Sequence, residues 1–210
     1  MVEDASSPTL WSGLDLRSGA EGGVQARRAS VRSTPWAAGA QGQRYELLAL
    51  ASRARPSAFL SALDLSHPFT ATDTSDATWH DDLLITWSLL YRKVAATAPK
   101  QVEPYAVYVL GVNPPSGLAR HETDEFNDFY TNVHMPEVTA RRKCLRASRY
   151  ELDQVVRAPK GGGPTFLAVY ELDEAAAQVR KHTGGPYSSG PEVWQRHTTP
   201  WRFWYRTLAP

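Results

Sequence analysis

Between residues 104 and 210 the apolar positions fall into four short runs, separated by two segments of helical character. The four runs are rich in branched and aromatic residues, which is typical of β-strands. They lie at 105–112, 145–152, 165–172 and 201–208. Helices are predicted at 123–141 and 174–182, because Thr123 and Asp173 supply side-chain oxygens that cap a helix start. The resulting order is β-α-β-β-α-β, which predicts an α+β module with an antiparallel sheet.

The first half of the chain shows a weaker pattern. Residues 1–42 are dominated by Ser, Gly, Ala and Arg and have no sustained apolar period, so we predict a disordered N-terminal tail. Residues 43–98 contain two strand-like runs, at 44–50 and 82–92. A short helix is predicted to begin at Pro56, because proline suits the first turn of a helix.

A weak repeat connects the two halves. The Trp, Tyr and Arg spacing at 87–92 recurs at 201–206, and each set closes a predicted unit. A four-stranded ferredoxin-like sheet with both helices on one face leaves its other face bare, and an exposed apolar face of that size requires a partner. We therefore predict that 43–98 is a degenerate ferredoxin-like half. It would pair with the half at 104–210 to form an α/β barrel, with a second copy of the chain (a homodimer) as the alternative partner.

Composition narrows the class of ligand. The chain has 23 Lys and Arg against 22 Asp and Glu, a formal net charge of +1, so no electrostatic case exists for nucleic acid or an anionic membrane surface. No apolar run reaches the length of a membrane span, and the start lacks a secretory signal, so the predicted location is cytoplasmic. The single cysteine excludes an intramolecular disulfide, and no His, Asp or Glu set has metal-ligand spacing. The predicted partner is a small molecule, with no metal or cofactor.

The best candidate for chemistry is a histidine on the first predicted helix of the second half. At about 100° per residue, Phe126, Phe129, Tyr130 and Val133 share one arc that is expected to face the sheet. His134 falls at the margin of that arc, one turn beyond Tyr130. Imidazole takes or gives a proton near neutral pH. The competing interpretation is that a lone histidine before a proline caps the helix end or hydrogen-bonds a backbone carbonyl.

Three polar residues on or just after the predicted strands are candidates to assist. Arg149, on the second strand of the module, is able to hold a carboxylate or an enolate, and a surface ion pair is the alternative. Tyr108 and Asn113 would hydrogen-bond a ligand oxygen. Formation of an Asn-Pro turn is the more common reason for an asparagine such as Asn113.

Several segments resemble the dimeric α/β-barrel superfamily, and the likeness covers about half of the chain. They are 125–136, the Arg-Tyr pair at 149–150, the strand end at 169–172 and the Thr-Pro-Trp at 199–201. The nearest likeness is to its EthD-like members, whose first helix carries an aromatic-Tyr-x-x-x-His-x-Pro pattern, matched by Tyr130, His134 and Pro136. Phe129 stands where many relatives have tryptophan.

The resemblance implies that His134 projects into a small-molecule pocket. The superfamily includes stress-response proteins, muconolactone isomerases, polyketide cyclases and cofactor-free monooxygenases, so the fold alone does not define the reaction. We expect a cofactor-independent enzyme, a lyase or isomerase, that moves a proton on an aromatic or polyketide-like substrate in secondary metabolism. A non-catalytic binding or stress-response protein and a cofactor-free monooxygenase are the alternatives. The expected catalytic residues are His134, Tyr130 and Arg149, and the expected substrate-binding residues are Tyr108, Asn113, Phe126 and Trp201.

Overall fold

The computed structural model describes residues 8–16, 48–52, 59–64, 83–99, 102–157, 162–179 and 186–207. Its strands are β1 (Pro8–Leu16), β2 (Leu48–Ser52), β3 (Phe59–Asp64), β4 (Leu83–Ala96), β5 (Ala106–Asn113), β6 (Arg146–Arg157), β7 (Phe166–Leu172) and β8 (Thr198–Thr207). Its helices are α1 (Arg120–Asp128), a π-helical segment (Phe129–His134), α2 (Met135–Arg142), α3 (Glu174–Gln178) and α4 (Glu192–Gln195).

The chain divides into two compact units. The helical unit contains Lys93–Glu151 and Pro164–Phe203, and the strand unit contains the described residues of Asp4–Arg92, Leu152–Gly163 and Trp204–Pro210. The predicted division into halves at 43–98 and 104–210 concerns repeated element order, and it stays a prediction.

In the helical unit, β7 pairs antiparallel with both β5 and β6. Tyr108, Tyr170 and Ala147 lie side by side across the three strands, and Arg149 lies opposite Ala168. Side chains on a strand alternate between faces, so these residues share the face toward α1 and the π-helical segment. Every residue of β7 is buried, which is typical of a strand covered on both faces.

The helical stretch over the sheet begins three residues before the predicted start at Thr123. The Glu122 carboxylate accepts a hydrogen bond from the backbone N–H of Ala119 at 2.9 Å and so satisfies a free N–H at the helix start. The Thr123 hydroxyl instead donates to the carbonyl of Ala119. The stretch ends at Lys143, whose left-handed backbone (φ 52°) reverses the chain toward β6.

The strand unit holds a five-stranded antiparallel sheet in the order β4-β1-β3-β2-β8. The register between β1 and β4 shifts at Gly13 and Leu14, where a glycine accommodates a β-bulge. The structure differs from two of the predictions in this unit. The stretch predicted as a disordered tail contains β1, and the helix predicted from Pro56 is replaced from Phe59 by β3. Strand β3 forms because β1 and β2 pair along both of its edges, and tertiary pairing overrides local propensity.

The predicted α+β, ferredoxin-like class is confirmed. The predicted strands of the second half correspond to β5, β6, β7 and β8, and the two predicted helices to the stretch from α1 to α2 and to the shorter α3. Among the described residues, no helix is both long and apolar enough to cross a membrane.

Candidate active site

A π-helical segment positions the candidate histidine. The backbone N–H of Met135 donates to the carbonyl of Tyr130, and this i→i+5 bond adds a residue to the turn. The added residue changes which side chain follows Tyr130 on the sheet side. The prediction for Val133 is therefore wrong, since it is 41% exposed, and His134 takes its place beside Tyr130.

The His134 imidazole is half-buried among four aromatic rings, which we call the aromatic cage. The cage consists of Trp194, Tyr187, Tyr130 and Phe129, with ring centroids 4.7, 5.6, 6.1 and 6.3 Å from that of His134. The Nδ1 atom of His134 is buried and has no hydrogen-bond partner among the described residues. A buried polar atom of this kind is rare in native proteins and is free to bind a ligand group.

Burial lowers the pKa of His134 to about 4, and the positive charge of His197 adds to the effect, while Glu137 opposes it. Desolvation disfavours the imidazolium ion, so the imidazole is neutral at pH 7. A neutral imidazole has one nitrogen that can accept a proton.

One wall of the aromatic cage is held in place by a carboxylate. Glu137 accepts hydrogen bonds from the backbone N–H of Ser188 at 3.0 and 3.3 Å and from Arg141 at 2.6 Å. The bond from Ser188 is the main cause that lowers the pKa of Glu137. The guanidinium of Arg141 also lies 4.9 Å from the Tyr187 ring. Together these contacts hold Tyr187 against His134.

The opposite wall is Trp194, on the short helix α4. Gly190 precedes this helix with φ +71°, and a Cβ at that position would lie 2.6 Å from the Phe129 ring, so only glycine fits. The His197 ring stacks on Trp194 at 4.2 Å, and its Nδ1 contacts the Trp194 carbonyl at 2.5 Å. A carbonyl only accepts, so the Nδ1 atom of His197 is the donor in this contact.

Arg149 is 2% exposed and ties the sheet to the helix above it. Its guanidinium donates to Asn127 Oδ1 at 2.5 Å and to Thr131 Oγ1 at 2.9 Å. It also lies 4.4 Å from the Tyr130 ring centroid and 4.1 Å from that of Phe166. Burial lowers the pKa of Arg149 to about 10, which leaves it charged at neutral pH.

No carboxylate among the described residues forms an ion pair with Arg149, and its Nε has no hydrogen-bond partner there. Buried cations are usually paired with an anion, so this one favours negative charge on a neighbouring group. The Tyr130 hydroxyl is likewise buried and unpartnered, and burial raises its pKa far above the ordinary range. It is therefore a protonated hydrogen-bond donor.

The other predicted residues divide between the two faces of the sheet. Tyr108 lies on the helix-facing side, 6.2 Å from Tyr170 between ring centroids. Phe126 belongs to the core of that side, stacked with Phe166 at 6.0 Å. Trp201 packs against Gly111. Gly111 lies three positions after Tyr108 on β5, and side chains alternate between faces, so this contact is on the opposite face of the sheet from Tyr108.

Asn113 closes the end of β5. Its Oδ1 accepts the backbone N–H of Thr165 at 2.7 Å, which joins this end to the start of β7. Of the predicted residues, the structure brings together His134, Tyr130 and Arg149, and it places Tyr108 on the same side of the sheet beside Tyr170.

Sequence reasoning missed Tyr170, Tyr187, Trp194 and His197. Pro191 and Glu192 are typical of a helix start. Helix α4 has only four residues, however, which is too few for an apolar period to show in the sequence. The apolar run at 165–172 predicts a strand for Tyr170, but the face of the sheet on which it lies depends on the strand register. No group of three or more His, Cys, Asp or Glu side chains suited to a metal ion occurs in the part of the chain that the structure describes.

Three solved structures are similar to this chain over nearly its whole length. A protein assigned as a chlorite dismutase has 11% identity and a TM-score of 0.57, and the match covers 97% of this chain and 95% of that one. An anthrone oxidase-like protein has 9% identity and a TM-score of 0.57, with 100% and 95% covered. A protein assigned as a monooxygenase from Lactobacillus acidophilus has 9% identity and a TM-score of 0.51, with 97% and 94% covered.

All three similar structures have the ferredoxin-like dimeric α/β-barrel fold. At these identities the likeness defines the fold and not the activity. No protein-family profile and no curated protein matches the sequence.

Proposed function

We propose that this chain is an enzyme that transfers a proton on an aromatic, polyketide-like small molecule, in a cyclisation, dehydration or isomerisation. The observation that carries the proposal is His134, a neutral imidazole with an unpartnered, buried Nδ1 inside an aromatic cage. Aromatic side chains supply flat apolar walls, and a few polar atoms orient the ligand between them. The match of Tyr130, His134 and Pro136 to the EthD-like pattern supports the same assignment.

The chemical step uses the cation beside the cage. A basic nitrogen of His134 takes a proton from an acidic C–H that is conjugated with a ligand carbonyl, and the electron pair of that bond moves through the conjugated system to the carbonyl oxygen. The Tyr130 hydroxyl donates to the resulting oxyanion, and the charge of Arg149, 4.4 Å from the Tyr130 ring, stabilises it. Negative charge nearby also favours the imidazolium ion, which then returns the proton to another ligand atom.

A second candidate is a cofactor-free monooxygenase, and the names of two similar structures, an anthrone oxidase-like protein and one assigned as a monooxygenase, favour it. The first step is the same deprotonation by His134. The carbanion of an anthrone would then react with O₂, giving the quinone and one molecule of water. Both candidates therefore depend on the same histidine.

Anthrone is a probe that separates these functions. With active protein in D₂O, we expect the C–H signal of anthrone to exchange for deuterium faster than in buffer, as measured by NMR under nitrogen. We expect His134→Gln to reduce this rate by about 100-fold or more, the usual contribution of general base catalysis. Oxygen consumption by the wild type under air would select the oxidase reaction.

The matched control is His121→Gln, which removes an exposed histidine from α1 and is expected to leave the exchange rate unchanged. Binding of anthrone without any enhanced exchange would assign the chain to the non-catalytic alternative. Full exchange activity in His134→Gln would contradict the proton-transfer role.

A further inference from the structure

Tyr170 lies at the centre of the helix-facing side of the sheet. It is on the middle strand, β7, with Tyr108 on one side and the small Ala147 on the other. Its side chain is fully buried, and its hydroxyl has no hydrogen-bond partner among the described residues. The proposed proton transfer at His134 does not use this group.

A buried hydroxyl without a partner is unfavourable for folding, because the group loses its hydrogen bonds to water and gains none. Phenylalanine would fill the same space without that cost. Burial raises the pKa of Tyr170 well above its ordinary value, so the hydroxyl keeps its proton. It is therefore a donor, and the group that satisfies it must be an acceptor.

The electrostatic surroundings of Tyr170 connect it to the site. Tyr130 and Tyr187, both members of the aromatic cage, and Cys144 raise its pKa further, while the positive charge of Arg142 lowers it. The Arg142 guanidinium lies 4.8 Å from the ring centroid of Tyr108, the cross-strand neighbour of Tyr170. Tyr170 is thus within electrostatic reach of two cage tyrosines and of Arg142.

We propose that Tyr170 is a specificity-determining residue whose hydroxyl donates a hydrogen bond to a second oxygen of the ligand held by the aromatic cage. This oxygen is separate from the carbonyl oxygen that Tyr130 binds. It is a carbonyl, phenol or phenolate oxygen, because the donor requires an acceptor and the neighbouring Arg142 favours negative charge. The ligand is then an aromatic compound that carries oxygens at two separate positions.

The inference rests on the proposed function for the location of the ligand, and its test is a binding measurement that needs no turnover. The probes are 1,8-dihydroxyanthrone and anthrone, which share the carbonyl and differ in the two phenol oxygens. We expect the wild type to bind the dihydroxy compound more tightly. We expect Tyr170→Phe to reduce this preference by about tenfold, the order of magnitude of one lost hydrogen bond to a ligand.

A stability measurement separates this role from a structural one. Because the hydroxyl has no protein partner, Tyr170→Phe is expected to keep or raise the melting temperature. Tyr105→Phe, which removes a hydroxyl just before β5, is the control and is expected to keep the full preference for the dihydroxy probe.

Three results would overturn the inference. They are an unchanged preference in Tyr170→Phe, a melting temperature that falls or a variant that fails to fold, and a wild type that does not prefer the dihydroxy probe. None of them decides whether His134 transfers a proton, since the exchange assay uses anthrone alone.

Discussion

At the residue scale, five buried polar atoms of the helical unit lack a hydrogen-bond partner among the described residues. They belong to Tyr130, His134, Arg149, Tyr170 and Tyr187. Native proteins leave few such atoms, and each one has an energetic cost. Four of them are in contact with one another through the rings of Tyr130 and His134, and Tyr170 lies on the same side of the sheet beside Tyr108. A ligand that supplies partners for these atoms would offset that cost, which supports the proposed function.

His134 makes the stability of the fold depend on pH. Its folded-state pKa of about 4 lies below the ordinary value of 6.5, so between these values the unfolded chain binds a proton that the folded chain does not. The free energy of unfolding should therefore fall as pH decreases from 6.5 toward 4. Since the ring is half-buried, we expect a loss on the order of 2 kcal/mol, measured by urea unfolding across this range.

The control for this prediction is His134→Gln, in which the part of the pH dependence that comes from this ring should disappear. His121→Gln should keep the dependence of the wild type, because His121 is exposed on α1. Equal slopes in the wild type and in His134→Gln between pH 4 and 6.5 would show that the imidazole is not desolvated.

At the element scale, the π-helical segment is the feature that local patterns in the sequence do not predict. Apolar runs were sufficient to predict β5, β6, β7 and β8, because strand composition is a local property. The helical phase predicted from a constant 100° per residue failed after Tyr130, where an added residue turns Val133 outward and His134 inward. No local pattern marks such an insertion, which depends on the packing of the helix against the sheet.

The segment that carries Tyr187 depends on one carboxylate of α2. Glu137→Gln keeps the size of the side chain but removes the charge that accepts the backbone N–H of Ser188 and pairs with Arg141. Hydrogen bonds to a charged group are stronger than neutral ones, so the segment should open more often. We expect amide hydrogen exchange at Ser188 to become roughly tenfold faster in Glu137→Gln.

Glu125→Gln is the matched control for this change, because Glu125 is exposed on α1 and the carboxylate that accepts the Ser188 N–H is that of Glu137. Amide exchange at Ser188 should be the same in this variant as in the wild type. An unchanged exchange rate in Glu137→Gln would mean that Trp194 and Gly190, and not the carboxylate, hold the segment.

At the scale of the whole molecule, long-range pairing decides what local patterns could not. Residues 1–42 were predicted to be disordered from composition, yet β1 lies within them and pairs with β3 and β4. Strand β3 was predicted to be helical because Pro56 is a helix-start signal. Both errors concern the pairing of β1 with β3, two strands that lie far apart in sequence, and composition and period do not record such pairing.

The contribution of β1 is measurable by truncation. Deletion of residues 1–16 removes the strand between β3 and β4 and the Trp11 side chain, which is 3% exposed. Loss of a buried tryptophan alone costs about 3–5 kcal/mol, and each kcal/mol lowers the melting temperature by roughly 2–4 °C, so the transition should shift down by about 6–20 °C. Deletion of residues 1–7, which keeps β1, is the control and should leave the transition in place. An unchanged transition after the longer deletion would restore the prediction of a disordered tail.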